Sequence, residues 1–425
     1  MKGYARLIGA HPRVLASGVL LTLFSGFGQT FLISLFVPDL LSSFGLDKIG
    51  FGALYSGATL GAALIMPRFG RLLDRSTVPF VTLLAAAILM TSCALVALSP
   101  GPAWLFAGVM GLRLGGQGMF GLIAAASMAR HFDAHRGRAL GVASLGYPLG
   151  EAMLPAAVMT LIGAFGWRWS MGIMGAVILL VFLPVVLRLM RGTGVPEQPL
   201  CGPRCTELCD VPALTDAAAA ARAGGKSAVR TLLADPASRA VLLVFLVPPF
   251  ALTGLFLYQA LLCEYKGWPP AVMAGGFAAF AAARFAGSLA AGTLIDTLGA
   301  ARLLRVYLLP FIAGLAVVYL ADGPWAAAAF MALCGFTTGP GEAIQTALWS
   351  DIYGAEVIGG IKGFTSMISV VGTAAAPLFA GYLIQSGGGY GTFLLSLLAV
   401  AAAGAAIPFL LDLKAPSLRS RFLRK

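Results

Sequence analysis

Twelve runs of about twenty mainly apolar residues fill most of this chain: 14–37, 50–68, 78–98, 102–128, 139–163, 169–189, 241–263, 270–294, 303–321, 324–349, 360–384 and 390–411. Wound as an α-helix, each run matches the ~30 Å hydrocarbon core of a bilayer. Backbone in hydrocarbon must satisfy its own hydrogen bonds, so the runs read as helices. Barrel strands would be about half as long and would alternate. Only 11% of the 425 residues are charged, against about 25% in an ordinary soluble domain. A chain with so little charge cannot cover a water-facing surface. The expected fold class is an all-α membrane protein with twelve transmembrane helices.

The net charge of +12 could suggest a nucleic-acid partner. Its distribution argues otherwise. With the N-terminus in the cytoplasm, 24 of the 29 Lys and Arg fall in the N-terminal segment, the cytoplasmic loops, the middle loop and the C-terminus. The outer loops hold Lys48, Arg168 and Lys266, and Arg113 and Arg284 lie inside helices. That is the positive-inside asymmetry, with both termini cytoplasmic. The expected place is a cell membrane, a bacterial inner membrane, with no nucleic-acid partner. The basic start, MKGYARLIGAHPR, feeds an apolar run too long for a cleavable signal core.

The chain repeats itself at an offset of 222. Gly70 and Asp74 of GRLLDRS match Gly292 and Asp296 of GTLIDTLG, Gly101-Pro102 matches Gly323-Pro324, and Gly150, Pro155 and Gly166 match Gly372, Pro377 and Gly388. A constant offset through four helices points to two pseudo-symmetric six-helix bundles in parallel repeat. The expected domains are 1–189, a cytoplasmic linker 190–240 rich in Pro and Ala, and 241–425 with a short basic tail. Within the linker, GGKS lacks the first glycine of a phosphate loop, which would fall at Ala220. Cys201, Cys205 and Cys209 are spaced by four there, a weak candidate for a soft metal. Three thiols without a fourth ligand match no zinc pattern, so no metal and no cofactor is expected.

At these residues the chain resembles the major facilitator superfamily of secondary transporters. GRLLDRS carries the family's Gly-x-Leu-x-Asp-Arg signature after helix 2, and the copy after helix 8 is also typical. RHFDAHRGRALGVASLGYPLGEAMLP resembles its loop 4–5 and helix 5, and LWSDIYGAEVIGGIKGF its loop 10–11. EYKGWPPA resembles the helix 7–8 corner of the monocarboxylate and oxalate–formate transporter-like branch. Two departures stand out. Arg113 precedes Gln117-Gly118 by four residues rather than three, and Phe280 stands where the branch often has an Asp one turn before its helix 8 Arg. The resemblance implies twelve helices, a central cavity, and a helix 8 Arg that binds the substrate carboxylate.

Several polar residues are candidates for the site. Arg284 precedes Gly292 by eight residues, roughly 12 Å of helix, so it approaches the bilayer centre. An unpaired cation there is costly, and it should face a cavity or a partner. Its guanidinium can grip a carboxylate with two parallel bonds; the bland alternative is a structural pair with a neighbouring Glu. Arg113 and Glu151 also fall near the midplane, either as a buried ion pair or with Glu151 as a proton carrier. Glu342, after GFTTGPG, is the rival carrier or a salt bridge near the inner gate, and Gly339, Pro340 and Gly341 are expected to loosen its helix. Gln29, Thr253, Tyr258 and Gln259 could line the path or make interhelical bonds, and Pro248-Pro249 is expected to bend helix 7. Gly70, Asp74 and Arg75, with Gly292 and Asp296, read as cytoplasmic latches, the Asp bonding a facing helix N-terminus.

The function expected is a monomeric secondary transporter moving a small organic anion by alternating access, with protons as a possible coupling ion. It is not expected to be an enzyme, since no metal-hydrolase, kinase or nucleophile-elbow pattern occurs. The alternatives are efflux of drug-like or metal-chelate compounds, and a non-transporting receptor on the same scaffold.

Overall fold

The computed structural model describes residues 7–132, 136–191, 229–353 and 358–410. Twelve helices can be followed: α1 (12–44), α2 (Lys48–Arg75), α3 (Val78–Ala97), α4 (102–131), α5 (136–165), α6 (167–190), α7 (236–266), α8 (Pro270–Leu298), α9 (300–320), α10 (Trp325–Tyr353), α11 (Ile358–Gln385) and α12 (Gly389–Leu410). Nine described helices are long and apolar enough to cross a membrane, and ten if the bent pair in α1 is one span. One of the nine is a 53-residue stretch, Arg138–Met190, far longer than one crossing needs. Gly166 interrupts it at φ 75°, in the left-handed region that Gly enters without strain, and so divides α5 from α6. α10 is 29 residues long but diluted by Thr, Gly and Glu.

Local chemistry sets the ends. The Asp47 carboxylate accepts the Gly50 N–H at 2.7 Å at the start of α2, and the Thr77 hydroxyl accepts the Phe80 N–H at the start of α3. Pro102 and Pro270 open α4 and α8, where a missing N–H costs nothing. Pro248 and Pro249 lie inside a continuous helix, Pro236–Leu257, and the interruption comes at Tyr258. Likewise α10 runs unbroken through Pro340, so the Gly-Pro-Gly segment does not open that helix. α1 does break: Gln29 is extended (φ −87°, ψ 154°) and the two arms differ by 46°.

Two compact units emerge. Unit 1 comprises 1–206 together with 256–260, and unit 2 comprises 207–255 and 261–425. In unit 1, α3 packs on α4 and α6, and α1 packs on α4 and α5. At the α1 break, Gly28 lies against α4 so closely that a Cβ there would meet the Leu112 carbonyl oxygen at 2.0 Å and the Gly116 Cα at 2.8 Å. α4 accommodates this with a π-helical stretch, Arg113–Phe120. In unit 2, α8 and α10 form the most extensive pair. Buried aromatic and aliphatic side chains fill the interiors, and the large exposed apolar side chains, such as Leu64, Leu98 and Leu180, are those a lipid-facing surface would carry.

Candidate functional site

Unit 2 encloses a cavity of about 370 Å³ between α7, α8, α9, α10 and α11. Arg284 lies on its wall, fifteenth of the 29 residues of α8 and thus at the helix midpoint. The guanidinium carbon stands 6.0 Å from the Phe280 ring centre. The rest of the lining includes Thr338, Glu342 and Gln345 from α10 and Thr365, Ser366 and Ser369 from α11, with Pro248 and Pro249 from α7 and Tyr307 from α9. The Glu342 carboxylate accepts a bond from Lys362 Nζ at 2.9 Å, and its side chain is 81% exposed. Lys362 pairs with that carboxylate, so the three side chains together carry one net positive charge. An anion can bind here through charge and paired N–H donors, with hydroxyl and amide groups around it.

The fit of α8 to α10 sets the position of Arg284. A Cβ on Gly335 would lie 2.2 Å from the Phe280 carbonyl oxygen, and one on Gly339 would lie 2.3 Å from that of Arg284. Only Gly allows backbones to approach so closely. The Ser288 hydroxyl adds a bond to the Gly339 carbonyl at 2.9 Å.

Unit 1 holds a second polar group. Arg113 is buried, and its Nη1 donates to the Gly28 carbonyl (3.3 Å) and to the Thr30 hydroxyl oxygen (3.2 Å). The Tyr55 hydroxyl donates to the same Thr30 oxygen at 2.9 Å, and the guanidinium stands 5.2 Å from the Tyr55 ring centre. Glu151 is buried in the same unit. Gln29, half-buried at the α1 break, donates to the Ser25 hydroxyl at 3.4 Å. Tyr258 and Gln259 belong to unit 1 as well. The Tyr258 hydroxyl donates to the Lys48 carbonyl at 2.7 Å, and the Gln259 amide donates to the Ser34 hydroxyl at 2.7 Å and the Phe31 carbonyl at 3.4 Å. Of the residues singled out from sequence, the cavity thus gathers Arg284 and Glu342, while Gln29, Arg113, Glu151, Tyr258 and Gln259 lie in unit 1. Thr253 bonds the Pro249 carbonyl within its own helix.

At the helix ends, Gly70 and Gly292 have open space where a Cβ would stand, and Arg75 and Asp296 are exposed. The Asp74 side chain and the linker cysteines Cys201, Cys205 and Cys209 lie outside the described residues. Arg130 Nη2 donates to the Leu73 carbonyl at 2.7 Å, so a cation serves the C-terminal end of α2. His131 closes α4 beside His11, 3.5 Å between ring nitrogens. Burial, and then the neighbouring His11, hold the His131 imidazole below its ordinary pKa. Cys93, Cys263 and Cys334 are free and buried, and no metal-competent cluster of three or more His, Cys, Asp or Glu occurs among the described residues.

Sequence reading missed four participants. Lys362 counts there as one more cytoplasmic cation. Tyr55 and Thr30 carry no positional signal. Gly335 does: with the already noted Gly339 it makes GFTTG a Gly-x-x-x-Gly in an apolar segment, the usual mark of close helix contact.

The chain is multi-pass and helical, and helices α7 to α11 of unit 2 surround a cavity that carries a guanidinium. The sequence profile of the Major Facilitator Superfamily matches residues 18–369 and again 277–425. The chain belongs to that superfamily, a family of secondary transporters and not of enzymes. Among solved structures, it is similar to a bacterial homologue of the human lysosomal transporter Spinster in an inward-facing, unoccupied form (TM-score 0.70, 18% identity, 94% of this chain and 96% of that one). The inward-facing, occupied form of that homologue gives a TM-score of 0.70 and 17% identity over 93% of this chain and 96% of that one. A mutant of the nucleoside transporter NupG gives a TM-score of 0.70 and 12% identity over 94% and 99%. At these identities the likeness speaks for the fold alone. No curated protein sequence matches the chain.

Proposed function

We propose that this protein moves a small organic anion, a carboxylate, across the membrane by alternating access, with Arg284 gripping the anionic group. The observation that supports the reading is a guanidinium at the midpoint of α8 on the wall of a 370 Å³ cavity. That volume suits a small molecule. A planar guanidinium presents two parallel donors to a carboxylate, which an ammonium does not. Thr338, Gln345 and the α11 hydroxyls complete the shell.

Glu342 supplies a route to proton coupling. While ionised it holds Lys362 and places a negative charge in the same cavity. Protonation removes that charge and releases Lys362, so an anion binds more tightly to the protonated form. Buried Glu151 is the second candidate carrier. The cytoplasmic helix ends at Gly70–Arg75 and Gly292–Asp296 act as latches, both termini are cytoplasmic, the protein works as a monomer, and the membrane is a bacterial inner membrane. The skewed distribution of Lys and Arg supports the orientation.

The test is uptake of a panel of small carboxylates by proteoliposomes, with and without a pH gradient. Arg284→Ala is expected to abolish flux while the protein still inserts and folds, and Arg284→Lys to retain a minor fraction. Unchanged flux in the Ala variant would remove Arg284 from the mechanism. Failure of carboxylates to compete with one another would remove the anion.

A further inference from the structure

The lipid-facing side of unit 1 is not evenly convex. Thr91, Ala94, Leu95, Leu98, Pro100 and Trp104 line a groove of about 340 Å³ where α3 ends and α4 begins. Small Ala94 and Pro100 share the lining with two large exposed side chains, Leu98 (79% exposed) and Trp104 (54% exposed). The groove is almost wholly apolar, and it runs inward from the helix end for about 10 Å, seven residues of α3 from Leu98 to Thr91.

A cation sits at its mouth. Arg168 Nη1 donates to the Ala97 carbonyl at 2.8 Å and the Ser99 carbonyl at 3.3 Å. Leu98 and Pro100, the residues flanking Ser99, line the groove. The guanidinium also stacks 4.4 Å from the Trp167 ring centre and stands 5.9 Å from that of Phe44. Its Nε and Nη2 are not used in these bonds, and it meets no carboxylate among the described residues. By itself the C-terminus of α3 would repel an anion through its helix dipole, and Arg168 reverses that sign. Trp104, Trp167 and Trp169 around it are the aromatic residues expected at headgroup level.

We propose that this groove is a binding site for one anionic phospholipid, its acyl chain between Leu98 and Trp104 and its phosphate on Arg168. Charge at one end and a ~10 Å apolar trough leading from it match the two halves of that ligand. The outer cation of unit 2, Lys266, is already engaged by Asp322 at 2.7 Å, so the same chemistry does not recur there.

Native mass spectrometry of the full chain in detergent tests this, with dioleoyl-phosphatidylglycerol and dioleoyl-phosphatidylcholine added in equal amounts. The parent is expected to retain one phosphatidylglycerol about five-fold over phosphatidylcholine, the size of effect one basic residue has near an anionic surface. Arg168→Ala should erase the preference, Arg168→Lys should keep most of it, and Ala94→Phe, which fills the trough on an exposed surface, should lower retention of both lipids. Equal retention of the two lipids by the parent overturns the proposal. So does loss in Arg168→Ala with full retention in Ala94→Phe, because the headgroup would then be bound without the chain. Should Arg168→Ala unfold, Ala94→Phe and Arg168→Lys decide the matter.

Discussion

Gly339→Ala is the smallest perturbation that reaches the candidate anion site. The added methyl would begin 2.3 Å from the Arg284 carbonyl oxygen and 3.0 Å from the Ser288 nitrogen. Both obstacles are backbone, so no side chain can swing aside. Restoring ordinary contact, which starts at 3.4 Å, requires α8 and α10 to part by about 1.1 Å at that turn. Overpacking of this size costs about 1–3 kcal/mol. It also carries the Arg284 backbone away from the α10 side of the cavity by a similar distance. A displacement of about 1 Å in a positioning group can lower a rate by about 100-fold. The control is Gly275→Ala on α8, where a methyl meets no atom within 4 Å, and helix propensity predicts up to about 1 kcal/mol of stabilisation. Melting followed by tryptophan fluorescence, together with uptake of whichever carboxylate the panel identifies, separates the two. Gly339→Ala should melt earlier and transport far more slowly, and Gly275→Ala should melt no earlier than the parent. If both variants melt and transport alike, the close α8–α10 packing does not set the position of Arg284.

Other expectations follow from the same contacts. Because His131 has a depressed pKa in the fold, protonation favours the unfolded chain, so stability present above the ordinary histidine pKa of about 6.5 should fall as pH drops through and below it. His131→Gln should flatten that part of the melting-temperature profile, and an unchanged profile would count against the assignment. Lys266 is 3% exposed and donates to both Asp322 and the Tyr319 carbonyl, whereas Asp322 is 84% exposed; Lys266→Ala should therefore lower the melting temperature more than Asp322→Ala does. Glu342→Gln mimics the protonated carboxyl and releases Lys362, so uptake should persist but lose its response to a pH gradient; a response equal to the parent's would shift proton coupling away from Glu342.

The helices were legible because hydrocarbon imposes a length and a polarity that few other environments do. Chain breaks were harder to read. Pro248-Pro249 was expected to bend α7 and Pro340 to loosen α10, and all three sit inside continuous helices. In a packed bundle, the carbonyl that a proline leaves unbonded can be satisfied by a neighbour, so the ring alone does not decide. Breaks fall at Gln29, Ser144–Leu145, Gly166, Tyr258 and Tyr307–Leu308, and Pro310 opens the segment after the last of these. Gly166 takes a left-handed turn, and Gln29 falls where Gly28 is pressed against α4. Nothing local announces Tyr258.

Arg284 could be found from sequence because a guanidinium in hydrocarbon needs a reason to be there, and depth along the helix follows from counting residues. Its partners could not. Whether Lys362 meets Glu342 depends on how α10 and α11 pack, a relation between segments twenty residues apart across a turn. Arg113 makes the same point more strongly. Charge counting suggested Glu151 as its counterpart, while the contacts found for its guanidinium are a backbone carbonyl, a hydroxyl and an aromatic face. The Gly28 carbonyl lies at the end of the 3₁₀ turn, one residue before the extended Gln29, and no pattern of side-chain types encodes that. What sequence does encode is the condition for it: Gly28 and Gly116 are the two places where α1 and α4 can touch backbone to backbone. In a membrane bundle, glycines four apart or facing one another therefore carry as much information about the site as the charges do, because they decide which helix the charges can reach.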